Sequence, residues 1–274
     1  MYSSDSPYNY VGYQHKAKAL IDEGRWANAL VLLKASEAIK PDSDITEDLL
    51  GKCYFGQGKF VEALDHFKKA YEVCRIQDTK HLIKAGMTLM QLGRYPEAAQ
   101  TFEKVQKDYP KDASIYNHLL VAYEFADNPR EAMAWADRGL KNLSDAPWDY
   151  VLLTMVSARL AYRQEQDEVV ESKLDEVLAK FPEAFWYSDL SRLLKGETTL
   201  EEFKTLLETK YRGPEFESSA DLYLLMSLVL NKKWGDLKTF LKTNESKLET
   251  IVKEQTLFKK ELARAKEALN AHEL

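Results

Sequence analysis

Only two of the 274 residues are cysteine, Cys53 and Cys74. That number gives no disulfide framework and suits a reducing compartment, here expected to be the cytoplasm. Glycine and proline are also sparse, at 11 and 8 residues, so long flexible linkers have little room. No apolar run approaches the roughly 18 residues of a membrane span. The most apolar stretch, Leu222–Leu230, reads as a core helix, and no membrane insertion is expected. An excess of cations is missing too. A formal net charge of −6 argues against a generic nucleic-acid binder, which needs positive charge to displace phosphate counterions. Met1–Pro7 contains no basic region followed by an apolar one, so a secretory signal is not expected. Ala271-His272-Glu273-Leu274 only echoes an ER-retention tail.

The usual marks of an enzyme are thin as well. The five histidines, His15, His66, His81, His118 and His272, are scattered, and no two stand at the i, i+4 spacing of a helical metal site. The cysteines lack zinc spacing, and Cys74 and His81, seven residues apart across a helix junction, make a poor nucleophile–base pair. A glycine-rich phosphate loop and a nucleophile elbow are both missing. The acidic run Glu165, Asp167, Glu168 and Glu171 falls at a turn, where solvated charge is ordinary. These residues predict a chain without catalytic, cofactor or metal sites.

What the chain does have is a period. Ala29, Ala63, Ala98 and Ala132 recur at intervals of 34, 35 and 34 residues, each in a similar helical context. A fixed period of that size marks stacked repeats, in which no single repeat can bury its apolar face alone. The second repeat is clearest. Leu50, Gly51 and Tyr54 share one face of a first helix, Gly58 makes a turn, and Ala63, Phe67 and Ala70 line a second helix. Gly51 and Ala63 let two backbones approach while Tyr54 and Phe67 fill the space beside them.

This pattern resembles the tetratricopeptide repeat, a 34-residue helix-turn-helix. The first repeat matches at Gly24, Trp26, Ala29, Leu33 and Pro41; the third at Gly86, Leu89, Gly93, Tyr95, Ala98, Phe102 and Pro110; the fourth at Tyr116, Leu119, Tyr123, Ala132 and Ala136. There are departures. Leu120 replaces the small residue in the fourth repeat, Asn128-Pro129 replaces its glycine turn, and Val170 replaces the packing alanine of the fifth. The resemblance implies an all-α, right-handed α-solenoid. The expected layout is a disordered segment 1–9, four repeats over 10–145, degenerate helical pairs over 146–245 and a capping helix over 246–274. A capping box at Thr199 and Glu202 predicts a helix start, and an irregular joint is expected near Ser144–Pro147.

In this family the first helices line a concave groove. Helical phase then points to Gln14, Lys18, Ile21, Asp48, Lys52, Phe55, Ile83, Met87, Met90, Asn117, Val121, Glu124, Arg159 and Tyr162 as groove residues. Such a surface suits a protein or peptide segment with apolar anchors and some acidic groups. The methionines adapt to irregular shapes. Capture of a chaperone's terminal carboxylate is rejected as the leading expectation, because the paired asparagines are missing and Asp48 would repel a carboxylate. The expected function is a non-catalytic interaction scaffold or adaptor that organises a complex. The alternative is a structural subunit that self-associates through the helix at 246–271, whose stripe is Leu248, Ile251, Phe258, Leu262, Ala265 and Leu269. Residues 231–270 carry ten Lys and Arg against six Asp and Glu, a basic end on an acidic chain.

Overall fold

The computed structural model describes residues 9–76, 78–143, 147–181, 186–211, 214–248 and 256–273. Fifteen helices are present among them, without a strand. They divide into two compact bodies that meet in sequence between Asn128 and Pro129.

The N-terminal body holds three helix pairs and the first helix of a fourth. The pairs are α1 (Asn9–Asp22) with α2 (Trp26–Ile39), α3 (Asp44–Gly56) with α4 (Phe60–Val73), and α5 (Lys80–Gln91) with α6 (Tyr95–Asp108); α7 (Ala113–Phe125) follows. Each helix packs on its neighbour in sequence, and α1 also touches α3. The periodic alanines are the reason. Ala29, Ala63 and Ala98 are completely buried, which lets second helices lie close to first ones. Ser43 caps α3 by accepting the Thr46 N–H, and Asp112 caps α7 by accepting the Ser114 N–H at 2.9 Å. Asn9, expected to be disordered, already lies in α1, whereas residues 1–8 are outside the described residues.

The C-terminal body begins with α8 (Pro129–Asn142). It continues with α9 (Pro147–Arg163) and α10 (Asp167–Lys180), α11 (Trp186–Lys195) and α12 (Leu200–Thr209), then α13 (Pro214–Leu230) and α14 (Trp234–Thr243). The last helix, α15 (Thr256–Glu273), packs on α13, α14 and α9. Leu248, Leu262, Ala265 and Leu269, the stripe offered above to a second copy, belong to the same buried cluster as Tyr162, Leu225 and Leu237. Residues 249–255, including Ile251, and the side chain of Phe258 lie outside the described residues, as do 144–146 of the expected joint. The capping box starts α12 as the sequence predicts. Thr199 Oγ1 accepts the Glu202 N–H, and Glu202 accepts the Thr199 N–H at 2.8 Å.

One backbone motif recurs at the end of seven first helices. A residue with positive φ donates its N–H to the carbonyl three residues back, and the next N–H reaches five residues back. This is the Schellman closure, which satisfies carbonyls that the helix end leaves open. The residues are Gly24, Gly58, Gly93, Asp127, Glu165, Gly196 and Lys232. The C-terminal pairs thus turn as the N-terminal repeats do, although three of the seven positions no longer carry glycine.

Candidate functional site

Two hollows lie beside α1, α3 and α5. The first, about 300 Å³, has almost wholly apolar walls built by Ile21, Trp26, Phe55, Phe67 and Met87, with Lys52 and Lys84 at its border. Met87 is 42% exposed at this wall. Phe55 meets Phe60 edge-on at 5.2 Å, which holds it in place. Gly56 is needed behind this hollow, because a methyl group there would stand 2.7 Å from the Trp26 indole. The second hollow, about 390 Å³, is the more polar of the two. Lys18, Lys40, Asp44, Asp48 and His81 line it, and Lys52 borders both.

Two adjacent acids on α3, of which Asp48 lines the second hollow, organise the charge along this helix. Glu47 is fully buried and takes His66 Nδ1 at 2.7 Å and Lys69 from α4. Asp48, also buried, pairs with Lys52 at 3.1 Å, with His81 Nδ1 at 3.2 Å and with Lys84 from α5. Burial by itself pushes the Asp48 carboxyl up. Hydrogen bonds from His81 and Lys84, with the charges of Lys84 and Lys52, overcome burial and hold it well below the usual carboxylate range. One acid therefore ties α3 to α4 within a repeat, and its neighbour ties α3 to α5 in the next.

The predicted groove residues separate into three groups. Lys18, Ile21, Lys52, Phe55 and Met87 do line the hollows. Ile83, Met90, Asn117 and Val121 are half-buried and lie outside both. Gln14, Asp48, Glu124, Arg159 and Tyr162 are buried. Gln14 borders the polar hollow but spends its amide on Ser43 at 3.0 Å and Thr46 at 2.8 Å, joining α1 to the start of α3. In the C-terminal body the Arg264 guanidinium of α15 lies 3.6 Å over the Tyr162 ring, so the last helix covers the face that helical phase assigned to a partner.

Sequence reasoning missed Trp26, Phe67 and Lys84 as cavity walls. Trp26 and Phe67 head or line second helices, which the family pattern assigns to packing. It also missed a convergence of Asp44, Cys74 and His81, whose ligand atoms all lie within 4.8 Å of one another. Cys53 is different. Burial pushes its thiol up to about 11, as befits a core side chain.

No curated protein sequence matches the chain. Solved structures do. PilF of Pseudomonas aeruginosa aligns with a TM-score of 0.53 at 17% identity, covering 77% of this chain and 96% of that one. MamA of Desulfovibrio magneticus RS-1, residues 41 to the end, aligns with a TM-score of 0.54 at 16% identity, covering 63% and 95%. YrrB, described as a TPR protein with an unusual peptide-binding site, aligns with a TM-score of 0.52 at 14% identity, covering 68% and 91%. At such identities the likeness is one of fold. No helix among the described residues is long and apolar enough to cross a membrane. Residues 83–147 match the family model described as tetratricopeptide repeat, a stretch that runs from within α5 through α8. With its paired helices and recurring turns, the chain has the fold of tetratricopeptide-repeat proteins, and residues 83–147 match that family.

Proposed function

We propose that the N-terminal body holds an extended segment of a partner protein and that the chain acts as a non-catalytic adaptor in a complex. The observation that carries this reading is the apolar hollow of about 300 Å³ with Met87 exposed at its wall. A preformed hollow takes an apolar side chain with little ordering cost to the scaffold. Acidic groups on either side of that anchor meet Lys18 and Lys52 around the neighbouring polar hollow. Tetratricopeptide-repeat proteins commonly bind other proteins through repeat surfaces, and YrrB is described as having a peptide-binding site. Both cysteines are free, which fits work in the cytoplasm.

Selection from a random peptide library tests the reading, with the selected peptides then titrated by fluorescence anisotropy. Wild type is expected to enrich an apolar residue flanked by Asp or Glu. Met87→Glu, which puts a charge on the apolar wall, is expected to weaken the selected peptide by at least about tenfold, since a buried unpaired charge costs several kcal/mol. No enrichment by the folded chain, or equal binding by both proteins, removes this function.

A further inference from the structure

The start of α3, the end of α4 and the start of α5 come together, and each contributes a metal-ligating side chain. Asp44 is the first residue of α3, Cys74 follows the last residue of α4, and His81 is the second residue of α5. A carboxylate oxygen, the Cys74 sulfur and one His81 ring nitrogen all lie within 4.8 Å of one another. Around a tetrahedral zinc ion, with bonds of about 2.0–2.3 Å, ligand atoms stand about 3.3–3.8 Å apart. An inward movement of about 1 Å at side chains near helix ends reaches that geometry.

The chemistry of the set is selective. A thiolate, an imidazole and a carboxylate suit Zn²⁺, whereas Mg²⁺ and Ca²⁺ require shells of oxygen. A second observation supports a built site. His81 Nδ1 is 3.2 Å from Asp48 Oδ1, so with the ion on Nε2 the ring donates its other N–H to a buried carboxylate. Such an outer carboxylate fixes the tautomer and aims the ring at the metal. Cys74 itself is 7% exposed, while Asp44 and His81 both line the polar hollow, through which an ion and a water can enter.

We propose that Asp44, Cys74 and His81 bind Zn²⁺, with a water from the polar hollow as fourth ligand. The Cys74 thiol releases its proton to solvent as the sulfur–zinc bond forms. The ion then pins the α4–α5 junction to the start of α3, joining the second repeat to the third beside the hollow.

The full-length chain, stripped of metal, is titrated with Co²⁺ as a spectroscopic probe and with Zn²⁺ by calorimetry. One ion per chain is expected, with a thiolate-to-cobalt charge-transfer band that Zn²⁺ abolishes. Cys74→Ser removes the band and weakens Zn²⁺ by on the order of a hundredfold, and Asp44→Asn weakens it by at least about tenfold, judged against the 10–100-fold typical of losing even an outer partner. Circular dichroism establishes that both variants fold. Cys53→Ala serves as the second cysteine variant and keeps the band. Failure of the folded wild type to bind Zn²⁺, or equal binding by Cys74→Ser, overturns the site.

Discussion

The Phe67 ring occupies the space that a side chain on Gly51 would need: a methyl group built there falls 2.6 Å from Phe67 Cδ1. Gly86 and Phe102 repeat the relationship in the next pair, again at 2.6 Å. Both glycines lie inside helices, where replacing glycine with alanine ordinarily stabilises by about 0.5–1 kcal/mol. Here the sign inverts. Gly51→Ala and Gly86→Ala are each expected to destabilise by about 1–3 kcal/mol, because the buried rings must leave their rotamers. Gly12→Ala, whose methyl meets only Asn9 Oδ1 at 3.4 Å, should retain the ordinary sign. Urea unfolding of the three variants checks the contrast.

The recurring turn makes a second prediction. Glu165 and Lys232 hold φ of 57 and 54 where Gly24, Gly58 and Gly93 stand in the earlier repeats. A side chain in that left-handed region costs about 1–2 kcal/mol, partly offset by the extra freedom glycine gives the unfolded chain. Glu165→Gly and Lys232→Gly should each stabilise by roughly 0.5–1 kcal/mol. Gly58→Ala, with no atom within 4 Å of the new methyl, should destabilise through its backbone alone. Denaturant midpoints at constant slope measure all three.

Asp48 links stability to acid. Its carboxyl ionises well below the usual range in the folded chain, since His81, Lys84 and Lys52 outweigh the effect of burial. Its contribution is therefore complete above about pH 4 and fades as pH falls further toward the depressed folded value. Asp48→Asn leaves the Lys84 ammonium without its counter-charge and should cost about 3 kcal/mol at neutral pH. Guanidinium unfolding at stepped pH should show wild type and variant converging below about pH 4.

The legible and illegible parts of this protein divide by range. Gly51 with Phe67, and Gly86 with Phe102, are close in sequence and chemically distinctive, so period and residue type revealed the helix pairs directly. The turn at Glu165 was legible from its charge, but the left-handed backbone at Glu165 and Lys232 was hidden, because it does what glycine does without glycine to announce it. Arg159 and Tyr162 had the right helical phase, but Arg264, about a hundred residues later, covers Tyr162, and no periodicity in α9 could foretell that. Asp44, Cys74 and His81 stand at unremarkable spacings, and only the packing of α3, α4 and α5 brings them together.

His118 gives a prediction at milder pH. It stacks on Phe102 at 4.9 Å, and burial lowers its pKa despite the charge of Asp112. The unfolded chain then binds the proton more readily than the folded one. Stability should rise with pH between the lowered folded value and the ordinary value of about 6.5, and be flat above it. His118→Phe keeps a ring against Phe102 and should abolish that slope. Thermal melts at several pH values between 5 and 8 compare the two proteins.

A last pair of substitutions separates an exposed residue from a buried one. Helical phase placed Met87 and Arg159 on the same face, yet Met87 is 42% exposed and Arg159 only 8%. Met87→Glu adds a charge that water can reach, so its effect on stability should stay within about 0.5 kcal/mol. Arg159→Glu instead reverses a charge inside the C-terminal body, which should cost about 3–5 kcal/mol. Thermal unfolding followed by circular dichroism distinguishes them: Met87→Glu melts with wild type, and Arg159→Glu melts earlier. Loss of peptide binding by a chain that still melts like wild type then belongs to the hollow itself. If Arg159→Glu melts unchanged, Arg159 is not buried in solution, and α9 returns as a surface open to a partner.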